Sequence, residues 1–138
     1  MLSFYVDENL QGKRFVGQLR SNGLTVATAA DLGLVGEADA VWIPYVTKRG
    51  FVILTADRAI RLVPAEKEAL LRTGARIVAV KVGGSKTLEM IASNVINSHH
   101  AIERFDSRNE APWFVVLQMP DPKDFALNRS GRIRKKDL

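Results

Sequence analysis

Cysteine is absent from the 138 residues, so neither a disulfide nor a thiolate-held metal is open to this chain. Histidine is nearly absent too, and the only two are neighbours, His99 and His100. On a helix they point about 100° apart, which suits a surface or partner role better than a shared metal. No apolar run approaches the roughly 18 residues of a membrane span. The N-terminus lacks the basic flank and apolar segment of a secretory signal. Together these absences point to a reducing cytoplasm, away from membranes. No repeat or low-complexity segment interrupts the chain.

What is present is an ordinary globular composition, 46% hydrophobic and 25% charged, with a net charge of +5. The charge is unevenly placed. Arg129, Arg132, Arg134, Lys135 and Lys136 face only Asp137, a net of +4 that leaves about +1 for the first 128 residues. The expected organisation is therefore one domain over 1–128 and a basic, flexible tail over 129–138. The five cations of the tail are candidates for contacting an RNA backbone.

Strand and helix signals alternate along the domain. Residues 2–6 read as a strand and 9–22 as a helix stopped by Asn22-Gly23. A short strand at "LTVATA" leads to a glycine-punctuated loop, "DLGLVGEAD". Helix 39–49, strand 51–54, a Pro64-initiated helix ended by Gly74, strand "RIVAVKV", helix 86–106 and strand "WFVVLQM" follow. "KVGGSK" lacks the spacing of a phosphate loop and reads as a plain loop. Such alternation predicts an α/β fold, three αβα layers around a mainly parallel sheet of about five strands. Trp42, Tyr45 and Trp113 are expected in the core.

Two of the apolar strands end in acids. "FYVDEN" runs from Phe4 to Asp7, and "FVILTADR" gives way to Thr55 and Asp57. Ligands of parallel sheets bind beyond the carboxyl ends of the strands, where a charge avoids the cost of core burial. Asp39, which opens a helix after "GEA", can reach the same rim. Each acid also has a local explanation: Asp7 and Asp39 as helix caps or dipole partners, Asp57 as a turn residue. Taken jointly, an oxygen-only cluster without cysteine suits Mg²⁺ or Mn²⁺. Glu8, Asn9, Glu37, Thr55 and Arg58 lie close enough in sequence to support the three acids.

"DAVWIPYVTKRGFVILTADR" resembles the distal half of a PIN-domain ribonuclease: an Asp opening a helix, a glycine, an apolar strand, then Thr-x-Asp. With "FYVDEN" and "LRSNGLTV", the first sixty residues are similar to the short PIN-like branch that includes toxins of the VapC type. The resemblance implies a metal-dependent endoribonuclease with Asp7, Asp39 and Asp57 as catalytic metal ligands. It implies Mg²⁺ or Mn²⁺ as cofactor, RNA as substrate, and a cognate antitoxin as partner, in a homo-oligomer or a complex with that antitoxin. Larger PIN domains carry another acid on a helical insertion. Only 31 residues separate Asp7 from Asp39 here, and Glu8 or Glu37 is available as a substitute. Pro44 should kink the Asp39 helix. Two other readings compete: a phosphoacceptor receiver domain, which lacks its Ser/Thr and Lys at the expected strand ends, and a non-catalytic PIN-like RNA-binding module.

Overall fold

The computed structural model describes residues 1–10 and 12–138. In chain order it contains β1 (Ser3–Val6), α1 (Lys13–Ser21), β2 (Thr25–Thr28), α2 (Ala29–Leu32), α3 (Asp39–Lys48) and β3 (Phe51–Thr55). A 3-10 turn at Ile60–Leu62 leads to α4 (Pro64–Thr73), followed by β4 (Arg76–Val80), α5 (Leu88–Arg108), β5 (Trp113–Gln118), α6 (Pro122–Ala126) and β6 (Arg132–Lys136). The helix expected over 9–22 begins at Lys13, and position 11 lies outside the described residues. The loop expected at "DLGLVGEAD" opens within α2, a single turn stabilised by reciprocal hydrogen bonds between Thr28 and Asp31. α3 continues through Pro44, which forgoes one backbone bond inside the helix.

The α/β class and the mainly parallel sheet follow the expectation, with six strands where about five were read. Their order is β2-β1-β3-β4-β5-β6. All neighbours pair in parallel except β5 and β6, which are antiparallel. The side-chain period of two sorts each strand between two cores. Phe4, Val6, Val52, Leu54, Val78, Val80, Val115 and Leu117 face α1 and α5. Tyr5, Ile53, Ile77, Ala79, Phe114 and Val116 face α2, α3 and α4. Strands buried on both faces explain why these segments read as continuous apolar runs. Among the described residues, no helix is long and apolar enough to cross a membrane.

The tail requires a correction. Residues 132–136 are not a flexible appendage but β6, paired from Gln118↔Arg132 to Phe114↔Lys136. Ile133 packs on the α5-side core and Leu138 on the other. Arg129 is tied to Asp124 at 3.1 Å, Arg134 donates to Gln118 Oε1 at 2.9 Å, and Lys135 reaches Asn109 at 3.5 Å. Gly131 makes this docking possible. Its backbone N–H donates to Ser98 Oγ at 2.8 Å, and a Cβ there would collide with the Gln118 carbonyl and the Asn94 side chain. A charge-rich run hides such a strand because only one of its faces needs to be apolar, and edge strands commonly carry Lys and Arg.

Candidate functional site

The sheet order reverses between β1 and β3: the chain moves outward to β2 on one side and to β4 on the other. Crevices at such reversals, beyond the carboxyl ends of the strands, are the usual ligand sites of open α/β sheets. Asp7 follows β1 and Asp57 follows β3, so the two acids border this crevice. The backbone N–H of Asp7 donates to the Leu54 carbonyl at 2.9 Å, extending the strand ladder up to the rim.

Thr55, fully buried, is the hub of the crevice. Its hydroxyl donates to Asp7 Oδ2 at 2.8 Å and accepts from the Asp57 backbone N–H at 3.0 Å and from Asn9 Nδ2 at 3.3 Å. One donor and two acceptor sites are the whole capacity of a hydroxyl. Asn9 Oδ1 in turn accepts from the Ala56 N–H at 3.1 Å. Asp57 Oδ1 accepts from the Ala59 N–H at 3.0 Å, the short-range turn bond expected of Asp. The turn role and the rim position are therefore compatible.

Asp39 stands in the first turn of α3. Trp42 Nε1 donates to Asp39 Oδ1 at 2.8 Å, and the Trp42 ring packs on Tyr5 with centroids 5.2 Å apart. Trp42 is thus the core residue expected of it, but its polar end also orients an acid.

Electrostatics link the acids. Burial raises the pKa of Asp7, and the charges of Asp39 and Asp57 raise it further, against the hydrogen bonds from Thr55 and from the Glu8 backbone. Burial likewise raises Asp39, with Glu66 and Asp57 adding to it and the Trp42 bond opposing. Tyr5 is pushed up to about 12 by burial and then by Asp7, Glu8 and Asp39. The carboxylates thus feel one another's charge with no cation paired to them: none takes part in an ion pair among the described residues.

Glu66 is the residue that the sequence reading missed. It lies in the first turn of α4, where Pro64 opens the helix, and its Oε2 is buried with no hydrogen-bond donor in the protein. The substitutes considered for a further acid are used otherwise. Glu8 Oε1 accepts from the Gly36 N–H at 3.0 Å, clamping the loop before α3. Glu37 is exposed. Arg58 is exposed and lines a separate cleft beside the rim.

The metal test is one of donor chemistry. Asp7, Asp39, Asp57 and Glu66 offer only oxygens, they repel one another, and one buried oxygen has no partner. Such a set fits a hard divalent cation. By contrast, the group of three among the described residues whose ligand atoms all lie within 4.8 Å of one another is His99, His100 and Glu103 on α5, closer than adjacency on a helix suggested; no three of the four acids come that close together. Glu103 lies 3.8 Å from the Met1 amino group, near the start of β1 and hence at the opposite end of the sheet from the acids.

A six-stranded α/β sheet with carboxylates from two strand ends and two helix starts over its topological switch defines a class of hydrolase-like sites. A family model described as "PIN like domain" matches residues 2–81, more than half the chain, and the protein belongs to that family. Comparison with curated proteins and with solved structures finds no match. The match spans β1 to β4 and includes all four acids. It also removes the receiver reading, which gives Asp39 and its helix no task.

Proposed function

We propose that the chain is a metal-dependent endoribonuclease, the toxin of a toxin–antitoxin pair, acting on RNA in the cytoplasm. What supports the nuclease is the mutual charge coupling of Asp7, Asp39 and Asp57, with Glu66 coupled to Asp39 and carrying an unpartnered buried oxygen. The antitoxin partner rests on the resemblance of the first sixty residues to the branch that includes VapC-type toxins.

The four carboxylates would hold Mg²⁺ or Mn²⁺, which supplies charge neutralisation at the phosphate and an activated water. The chain's own residues do the rest. Thr55 fixes one oxygen of Asp7, Trp42 fixes one of Asp39, and the Ala59 N–H fixes one of Asp57, so these three acids keep a set orientation. Such supporting bonds are what keeps ligand groups preorganised. Asp7, Asp39 and Asp57 are only half-buried, so a phosphodiester would reach them from solvent. Water adds to phosphorus, one P–O ester bond breaks, and the departing oxygen gains a proton.

Purified protein should cut single-stranded RNA in Mg²⁺ or Mn²⁺, lose that activity in excess EDTA, and lose it in Asp57→Asn. Equal cleavage by Asp57→Asn and the parent would overturn the nuclease. Purified product of a neighbouring gene should inhibit cleavage; if no neighbouring product does so, the toxin assignment falls while the nuclease stands.

A further inference from the structure

The loop "KVGGSK" has no part in the acidic site, yet it is shaped with care. Gly83 and Gly84 adopt φ of 93° and 65°, the left-handed region that glycine enters freely. The turn closes through a bridge between Gly83 and Lys86. Its effect is to return Lys86 towards Lys81, so that both line one cleft of about 320 Å³. Arg58, the residue after Asp57, lines the same cleft with Asn94, Gln118 and Met119.

Three cations therefore share one concavity, and none of them makes an ion pair among the described residues. α5 begins immediately beyond Lys86 with Thr87 as its cap, so the positive end of a 21-residue helix lies alongside. Register adds a fourth charge: β6 starts opposite Gln118, which puts the exposed Arg132 at the same end of the sheet. The floor of the cleft includes Val80, Ile91 and Leu117, which belong to the α5-side core. Asp39 and Glu66 come from α3 and α4, on the other side of the sheet.

We propose that this cleft is a phosphodiester-binding subsite for single-stranded RNA, holding the nucleotides on one flank of the phosphate over the acids. It rests on the nuclease reading for the identity of its strand. β1 and β4 lie two places apart in the sheet, about 10 Å, so one to two nucleotides bridge Asp7 and Lys81. The strand crosses the rim from the acids over Arg58 and settles against Lys81 and Lys86. Specific grip is therefore one-sided.

The test is binding, read in Asp57→Asn protein so that cleavage does not enter. Affinity for a fluorescent single-stranded RNA of about ten nucleotides is measured by anisotropy at several salt concentrations. Lys81→Ala with Lys86→Ala should weaken binding roughly tenfold and flatten the salt slope by about 1.4, two phosphates at 0.7 each. Arg58→Ala, an exposed position, should reduce the slope by about 0.7. Unlabelled RNA of the same length should displace the probe, whereas inorganic phosphate or a mononucleotide should not do so at comparable concentration. Unchanged affinity and slope in both variants overturn the subsite. Displacement by the mononucleotide as readily as by RNA assigns the cleft to a small nucleotide instead and also overturns it. If the parent proves unable to cut RNA but the lysine variants still lose RNA binding, the nuclease reading fails and the subsite stands.

Discussion

One rim of the sheet carries two opposite signs. β1 and β3 run out into Asp7 and Asp57, with Asp39 and Glu66 leaning in from α3 and α4. β4 and β5 run out into Lys81 and Gln118, with Arg58 and Lys86 beside them. In the acidic half Asp39 and Asp57 are oriented by near neighbours, Trp42 and the Ala59 N–H, while Asp7 is oriented by Thr55, which the pairing of β1 with β3 brings alongside. The basic half depends on distant chain, because β6 and Gly131 close over Asn94 and Gln118 to hold that end of the sheet. Substitutions in the acidic half should therefore alter chemistry with little effect on folding. Those beneath the basic half should alter stability first.

Removing residues 129–138 should give the largest effect. It strips five paired residues from β5 and uncovers Val116 and Leu117, a loss on the order of 3–5 kcal/mol from lost burial and ladder bonds. That is a large share of a typical domain's stability. Circular dichroism and urea titration should show a marginal or unfolded protein. A truncated chain as stable as the parent would mean that β6 contributes nothing and that the two halves do not differ in this way.

Next, Asp39→Asn should lower RNA cleavage by about 10²–10³-fold, by analogy with removal of one electrostatic contact at a reacting centre, while thermal unfolding stays within a few degrees of the parent. Loss of folding together with activity would show the acidic half to be structural after all.

Gly131→Ala should cost about 2 kcal/mol, since the new Cβ meets the Gln118 carbonyl and the Asn94 side chain rather than open space. Denaturant midpoints measure it. A neutral result would show that the β6 approach relaxes easily.

The smallest effect has the opposite sign. Asp7 is held in the fold with its pKa raised by burial and by neighbouring acids, so its ionised form opposes folding at neutral pH. Parent stability should rise as pH falls from 7 through the raised folded-state pKa of Asp7. Asp7→Asn should raise the melting temperature at pH 7 by roughly 2–5 °C, and the advantage should shrink on acidification. Equal melting temperatures at pH 7 would show that the crowding is already relieved. The same substitution should abolish cleavage, the usual tension between a strained site and stability.

How much of this could be read from the chain depends on how local each signal is. The acids after Val6 and Leu54 were legible because apolar strands buried on both faces stand out and their charged ends are abrupt. Asp39 was legible as a helix start. Glu66 was not. "PAEKEALL" explains itself as a helix opening with a first-turn acid, and only the packing of α4 beside α3 brings that acid to Asp39. The β6 strand was missed because its pairing with β5 is nonlocal and its exposed face is cationic. "KVGGSK" carries no phosphate-loop spacing in its sequence; the turn's geometry is what places the two lysines together. Thr55 is legible as a support for the acids, but its saturation by three partners is visible only once β1 and β3 are adjacent.

The most direct test of the acidic half is Mn²⁺ binding followed by electron paramagnetic resonance, on the parent, Glu66→Gln and Asp39→Asn. If the four carboxylates form one cation site, each substitution weakens Mn²⁺ affinity by about tenfold or more, and the Glu66 variant behaves like the Asp39 variant. Mn²⁺ affinity unchanged by Glu66→Gln and Asp39→Asn alike would contradict the site.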